Sequence, residues 1–305
     1  MLAYTLRRLA GSVPTLLILA TLTFFLMRWA PGGPFDTDRV WPREIQQNIA
    51  RKYELDKPVG TQFAHWLRDV LRGDFRESFQ YEDRSVREII GASLPISLQL
   101  GATALLISSV TGIGLGCLAA WKKNTWIDQG ILFFSVIGLS LPSFLLATLL
   151  ILIFSLRLGW LPPALWEGPS SAILPILTLS SRPLGVITRL TRISMVESLA
   201  SDYIRTAIAK GLSSKAVLLK HALKNSLIPV LSVVGPLAAN LITGSFLVET
   251  IFQIPGLGKH FVQAVMNRDY PLVMGVTLVY GVILILSNLV VDILYGWIDP
   301  RIRLD

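Results

Sequence analysis

The sequence contains few of the residue types on which soluble enzymes and disulfide-stabilised proteins depend. Only 16% of its 305 residues are charged, against roughly a quarter in soluble domains. Its single cysteine, Cys117, excludes an intramolecular disulfide framework. Its three histidines, His65, His221 and His260, lack the spacing of metal ligands. The formal net charge is +8, but no basic patch interleaved with aromatic residues accompanies it. We therefore predict no disulfide, metal, cofactor or nucleic-acid partner for this chain.

Motifs for nucleotide hydrolysis and proton relay are also missing. No Gly-x-x-x-x-Gly-Lys-Ser/Thr pattern occurs, and GLGK at Gly256–Lys259 has the wrong spacing. Gly112, Gly114 and Gly116 lie inside an apolar run, where small residues permit close approach of helices. The apolar runs contain no series of Asp, Glu or His, which argues against an ion-coupled carrier. We therefore expect a chain that is not itself an enzyme.

Long apolar runs are abundant, and hydrophobic residues make up 52% of the chain. A membrane-spanning helix needs about 20 apolar residues, and lipid-exposed backbone must satisfy its own hydrogen bonds. The first run could instead be a signal peptide, but it ends in Met27-Arg28-Trp29 without a small-residue cleavage site. We predict an all-α membrane protein with six spans: Leu9–Ala30, Ile96–Ala120, Ile131–Leu156, Ala172–Thr191, Leu227–Leu247 and Leu272–Trp297.

The distribution of basic residues predicts the orientation, because short cytoplasmic loops are enriched in Lys and Arg. If both termini are cytoplasmic, the inner segments carry Arg7, Arg8, Lys122, Lys123, Arg189, Arg192, Arg205, Lys210, Lys215, Lys220, Lys224, Arg301 and Arg303. The two short outer loops then carry only Arg157, Lys259 and Arg268. This asymmetry predicts both termini on the cytoplasmic side.

Residues 31–95 form the one sizeable outer insert. Pro42 suits a first helical turn that is followed by a stripe of Ile45, Ile49 and Tyr53. A second stripe follows, and Gly73 is a plausible helix end; its members are Phe63, Trp66, Leu67 and Val70. One interpretation is that these short helices pack on each other or on the spans. The other is that they form a docking or gating element near an outer entrance.

Polar residues within the spans are candidate pathway groups, because burying them in lipid is costly. Asn288 and Asp292 lie four residues apart on one face of the last span, where the alternative for Asp292 is a snorkelling or packing role. Arg182 precedes Pro183, which is expected to interrupt the fourth span. Arg182 is therefore interpreted either as a pathway residue or as part of a kink.

The segment YIRTAIAKGLSSKAVLLKHALKN, residues 203–225, is basic and predicts a helical hairpin. Ile204, Ala207 and Ile208 share one face, and Gly211 follows as a left-handed cap. Ser213 or Ser214 caps the second helix, whose Val217, Leu218 and His221 recur at helical spacing. Such a hairpin suits insertion into a partner's groove, and attraction to anionic lipid is the alternative.

This segment resembles a loop of binding-protein-dependent ABC importer permeases. Arg205-Thr206-Ala207-x-x-x-Gly211 is similar to the family's Glu-Ala-Ala-x-x-x-Gly, with Arg and Thr in place of Glu and Ala. YIRTAIAKGL and HALKNSLIPV look like the forms found in the peptide-importer branch. RRLAGSVPTLLILATLTFFLMRWAPGGP, KYELDKPVGTQF, GDFRESFQY, GSFLVETIFQIPGLGKHFVQAVMNRDYPLVMG and VVDILYGWIDPRIR resemble other parts of that branch. The likeness is to its first, B-type permease subunit.

The resemblance implies the six-helix type I importer permease fold in the bacterial inner membrane, with a small helical periplasmic insert. It divides the chain into residues 1–30 with the first span, an insert at 31–95 and a five-helix core at 96–305. The implied partners are a second permease subunit, two cytoplasmic ATPases that bind ATP and magnesium, and a periplasmic peptide-binding protein. The implied activity is import of oligopeptides by alternating access. The alternatives are import of a dipeptide, an antimicrobial peptide or a nickel complex. Secondary transport is a further alternative, which fits the residues less well.

The resemblance also assigns roles to particular residues. The cytoplasmic loop 192–226 would couple the spans to an ATPase through Tyr203, Arg205, Thr206, Ala207, Lys210, Gly211 and Leu212. Separately from the resemblance, the short outer loop with the turn-forming IPGLG contains Glu249, Gln253 and Arg268. Its position makes them candidates for contact with the binding protein or substrate, with ordinary solvated loop residues as the alternative.

Overall fold

A computed structural model describes residues 2–29, 42, 44, 48, 50–51, 54–81, 83–243 and 246–298. Its helices are α1 (Leu2–Trp29), α2 (Val59–Leu71), α3 (Val86–Trp121), α4 (Trp126–Ser140), α5 (Ser143–Leu150), α6 (Pro169–Leu199), α7 (Asp202–Ala209), α8 (Ser214–Ala216), α9 (Leu223–Thr243), α10 (Phe246–Ile251), α11 (Leu257–Met266) and α12 (Tyr270–Ile298). Two π-helical segments, Ile151–Arg157 and Val217–Ala222, continue α5 and α8. The described residues thus confirm the predicted all-α class.

Five of the predicted spans are helices long and apolar enough to cross a membrane. The third predicted span is not one straight helix. It consists of α4 and α5, which are bent by 108° at Leu141 and Pro142. Leu141 has extended dihedral angles, because a residue before proline is disfavoured in the α region.

The predicted interruption at Pro183 is wrong, since α6 runs unbroken from Pro169 to Leu199 through Pro175 and Pro183. Each proline removes one backbone donor, but packing of α6 against neighbouring helices keeps the segment helical. Ser180 of α6, for example, donates a hydrogen bond of 3.1 Å to the carbonyl oxygen of Ala104 in α3.

The chain divides into two compact units. The first unit comprises residues 1–5, 97–254 and 284–305. The second unit comprises residues 6–96 and 255–283, so that it combines most of α1 with α2 and α11.

In the second unit, α2 of the predicted insert packs against α1 and α12. This packing matches the alternative in which the insert packs on the spans. Trp66 of α2 is buried with Phe24 of α1 and Tyr270 of α12, and Phe63, Leu67 and Val70 flank this cluster. Arg28 donates two hydrogen bonds, of 3.0 and 2.8 Å, to Gln62. Gly73 ends α2 with a φ of +80°, as predicted. The stripe of Ile45, Ile49 and Tyr53 lies outside the described residues.

In the first unit, glycines allow α6 to approach its neighbours closely. A Cβ atom on Gly116 would lie 2.5 Å from Thr191 Cβ and 2.7 Å from the carbonyl oxygen of Thr188. A Cβ on Gly112 would lie 2.9 Å from Ile187. The predicted role in close helix packing is therefore confirmed for these two glycines. It is wrong for Gly114, where a Cβ would meet nothing within 4 Å.

We expect Gly116→Val to separate α3 from α6, because a backbone carbonyl cannot move aside as a flexible side chain does. Overpacking of this kind costs about 1–3 kcal/mol. The measurement is the melting temperature of the purified chain in detergent, with Gly114→Val as the matched control on the same helix. Equal melting temperatures for the two variants would show that the approach of α3 to α6 is not tight.

Candidate functional site

The candidate site in the first unit has two parts, a hairpin and a cavity. The hairpin, residues 202–222, consists of α7, a turn, α8 and the following π-helical segment. The turn is set by Gly211, whose φ is +79°, a value that side chains disfavour. Its N–H donates to Ile208 O at 2.9 Å, and Leu212 N–H donates to Ala207 O at 3.3 Å. This is the double hydrogen bond of a Schellman cap, and the predicted left-handed cap is confirmed.

The second arm of the hairpin continues into a span. Ser213 caps α8 by accepting a hydrogen bond from Ala216 N–H, so Ser213 is the capping residue of the two that were proposed. From Ser214 to Thr243, through α8, the π-helical segment and α9, every residue is helical. The second arm of the hairpin is thus continuous with α9.

A buried apolar cluster fastens the hairpin to the rest of the first unit. Ile204 and Ala207 of α7 and Val217 and Leu218 of the second arm pack with residues of α3 and α6; the other members are Cys117, Ala120, Met195 and Ala222. A hydrogen bond adds to this packing, since Ser198 of α6 donates to Ala222 O of the second arm at 3.2 Å. The hairpin therefore has a fixed orientation relative to α3, α6 and α9.

Tyr203 lies at the start of the hairpin and shares a hydrogen bond with Ser198 at the end of α6. Burial opposes ionisation of this tyrosine. Hydrogen bonds with Ser198, Asn225 and Ser201 outweigh that effect and lower the pKa of its hydroxyl group. These bonds tie the first arm both to α6 and to the beginning of α9.

Not all the residues predicted for coupling face outwards. Ala207 is only 6% exposed and packs within the chain, whereas Arg205, Thr206, Lys210, Gly211 and Leu212 are exposed. Ile208, which was predicted to share the face of Ile204 and Ala207, is 59% exposed. His221 is also exposed, unlike Val217 and Leu218. Ile208 is thus an exposed apolar residue at the edge of the helix face whose other members, Ile204 and Ala207, are buried.

A buried ion pair secures α6 near the hairpin. Asp128 at the start of α4 is 2% exposed. Its two oxygens accept hydrogen bonds of 2.6 and 2.7 Å from Nε and Nη2 of Arg192 on α6. Bidentate pairs of this kind fix geometry as well as charge, so α4 and α6 are held together at this end.

The second part of the site is a cavity of about 710 Å³ in the first unit. It lies beside the bend between α4 and α5 and is also lined by α6, α9 and Val248 of α10. Its lining is partly apolar; the polar members are Ser140, Ser143, Thr178, Ser181, Arg182, Ser232 and Asn240. Of the three predicted pathway residues, Arg182 lines this cavity.

Asn288 and Asp292 are not among the lining residues. Asn288 Oδ1 would lie 3.1 Å from a Cβ atom placed on Gly235, so this side chain faces α9. Asp292 is partly buried on the same helix. Their placement matches the packing alternative that was given for this pair.

The three candidates for outer contact occupy different surroundings. Glu249 was expected in a loop but lies in α10, is fully buried and accepts a hydrogen bond of 2.8 Å from Ser97. Gln253 is exposed, with a φ of +53°. Arg268, in the second unit, is partly buried, with a φ of +55°. An exposed contact is thus available to Gln253 but not to Glu249.

Comparisons with known proteins cover almost the whole chain. Residues 112–304 match the family of binding-protein-dependent transport system inner membrane components, and residues 1–100 match the N-terminal model of such membrane components. The chain is 43% identical to the dipeptide transport system permease protein DppB of Bacillus subtilis, over 100% of this chain and 99% of the relative. It is 45% identical to the oligopeptide transport system permease protein OppB of Salmonella typhimurium, over 99% of this chain and 100% of the relative.

The fold is also similar to solved transporter structures. A structure of the MetNI methionine ABC transporter matches with a TM-score of 0.58 and 18% identity, over 70% of this chain and 97% of that chain. An amino acid ABC transporter matches with a TM-score of 0.54 and 14% identity, over 69% of this chain and 94% of that chain. At these identities the likeness concerns the fold alone. The family matches and the full-length identities together show that this chain belongs to the binding-protein-dependent transport system inner membrane components.

Proposed function

We propose that this chain is a permease subunit of an ATP-driven importer that moves oligopeptides from the periplasm to the cytoplasm. The observation that carries the proposal is the identity of 43–45% with peptide permeases over practically the full length of both chains. Import of dipeptides is the second candidate, because one of these relatives is named for dipeptides.

The proposed complex contains a second, homologous permease subunit, two cytoplasmic ATPases and a periplasmic peptide-binding protein. The chain itself contains no phosphate-binding loop of the Walker type, so ATP and magnesium would be bound by the ATPases. The family name supports dependence on a binding protein. Heterodimer formation is our proposal for this chain.

In this proposal the hairpin is the coupling element and docks on an ATPase. Its exposed side chains include apolar ones, Ile208 at 59% and Leu212 at 40%, and a short helix with an apolar face suits a groove in a partner. Because the opposite face of the hairpin packs on α3 and α6, closure of the ATPases would move these helices as rigid bodies. Differential contacts in the two states would supply the coupling free energy.

The proposed orientation places both termini and the hairpin in the cytoplasm. We expect Lys210→Cys to react with a membrane-impermeant maleimide only in inside-out membrane vesicles. The endogenous Cys117 is buried, which keeps background labelling low. Arg72→Cys in the outer insert is the matched control and should react only in right-side-out vesicles. Labelling of Lys210→Cys in right-side-out vesicles would contradict the orientation.

The substrate class is tested with the complete importer in proteoliposomes that contain ATP. We expect uptake of labelled oligopeptides that requires both ATP and the binding protein, and weaker uptake of dipeptides. A complex that imports dipeptides and excludes the longer peptides would favour the second candidate.

A further inference from the structure

Arg182 occupies an unusual position for a cation. It is the fourteenth residue of α6, about 20 Å along the helix from Pro169 at a rise of 1.5 Å per residue. Ionisable groups so deep within a membrane-spanning helix are costly unless they face water or a partner of opposite charge. Arg182 therefore requires either water or a compensating group of opposite charge.

The chain provides such a group for another arginine of the same helix but not for this one. Arg192 is held by Asp128 in a bidentate ion pair. Within the described part of the chain, Arg182 forms neither a hydrogen bond nor an ion pair, and its side chain is exposed. It is also the one charged residue among those that line the cavity of about 710 Å³.

The rest of the cavity suits a peptide. Serine and threonine hydroxyl groups and the amide of Asn240 can both donate and accept hydrogen bonds with a peptide backbone. Apolar residues such as Leu179 and Leu237 complete the lining. The volume falls within the range of roughly 300–1,000 Å³ typical of ligand sites, which is enough for one end of an extended peptide.

We propose that Arg182 binds the C-terminal carboxylate of a peptide in transit through this cavity. The planar guanidinium group matches a carboxylate with two parallel hydrogen bonds. A C-terminal carboxylate is the anion that all unmodified peptides share, whatever their side chains, so one arginine serves substrates of varied sequence. The assignment rests on the proposed function. A carboxylate of the second permease subunit is the other possible source of the same chemistry, and the experiment below distinguishes the two.

The test compares uptake of one labelled tripeptide as the free acid and as the C-terminal amide. The complete importer is reconstituted with ATP, and the peptide is chosen so that the binding protein binds both forms and is saturated with each. Wild type is compared with Arg182→Gln, Arg182→Lys and Arg189→Gln. Arg189 is the matched control, because it is exposed on the same helix but does not line the cavity. Since the binding protein is unchanged, its own preference cancels between variants.

We expect wild type and Arg189→Gln to import the acid about tenfold faster than the amide, as the loss of one charge-assisted contact predicts. Arg182→Gln should lose this preference through slower uptake of the acid, with uptake of the amide unchanged. Arg182→Lys should be intermediate, because it keeps the charge without the planar geometry. Recovery of all subunits in equal amounts on a tagged chain shows that each complex is assembled.

Equal losses for acid and amide in Arg182→Gln would overturn the proposal and assign Arg182 to an ion pair with the second permease subunit. An unaltered preference in Arg182→Gln would overturn it as well, as would the absence of any preference in wild type. A wild-type complex that imports neither peptide would instead contradict the proposed function itself, which is a different result from the loss of the preference alone.

Discussion

Replacing Ile208 with aspartate will prevent the ATPase subunits from copurifying with this chain. Ile208 is 59% exposed on α7, while its neighbours on the helix surface, Ile204 and Ala207, are buried within the chain. In the proposed complex the Ile208 side chain is buried against an ATPase, where an unpaired carboxylate would be strongly unfavourable. Substitution of an interface hot spot costs about 2 kcal/mol or more, which is roughly a thirtyfold weaker Kd.

The measurement is recovery of the ATPases on an affinity-tagged chain, followed by titration of the purified subunits. Ile208→Val is the matched control, since it keeps the apolar character, and it should retain the ATPases. The hairpin itself should stay folded in both variants because the buried cluster is untouched. Equal recovery with aspartate and valine would exclude Ile208 from the interface.

Gly211→Leu should uncouple ATP hydrolysis from transport while leaving membrane insertion intact. The φ of +79° at Gly211 places the turn in a region that costs other residues roughly 1–2 kcal/mol. A Cβ atom there meets nothing within 4 Å of the chain's own atoms, so a leucine side chain would project from the hairpin towards the proposed partner. We expect the amount of peptide transported per ATP hydrolysed to fall at least tenfold.

Gly211→Asn separates the two effects, because asparagine tolerates the left-handed conformation better than leucine does. It should retain more coupling than leucine. Paired assays of peptide uptake and phosphate release in proteoliposomes measure both quantities. Normal transport per ATP in Gly211→Leu would show that the turn does not lie against an ATPase.

Local sequence features predicted the hairpin turn well. A glycine directly after a helical stripe indicates a left-handed cap, and Gly211 adopts this conformation. The conformation of such a cap depends on the local backbone and not on contacts with distant residues. The face of α7 was predicted less well. Ile204, Ala207 and Ile208 lie close together on so short a helix, and the position of α3 and α6 decides which of them is buried.

Long-range contacts explain the other differences between prediction and structure. Glu249 follows an apolar run and precedes a turn, which suggested a solvated loop, but its partner Ser97 is 152 residues away in the sequence. Similarly, Pro142 and Pro183 both lie in apolar runs. The chain bends by 108° at Leu141 and Pro142, whereas neighbouring helices keep α6 continuous through Pro183. Packing between segments that are distant in the sequence cannot be predicted from a short stretch of residues.

Dependence on partner subunits is measured by comparing peptide uptake by this chain alone with uptake by the complete importer in proteoliposomes. We expect the chain alone to move no peptide, with or without ATP. Addition of the second permease, the two ATPases and the binding protein should give uptake that stops when ATP is withheld. Peptide uptake by the chain alone at the rate of the complete complex would contradict this dependence.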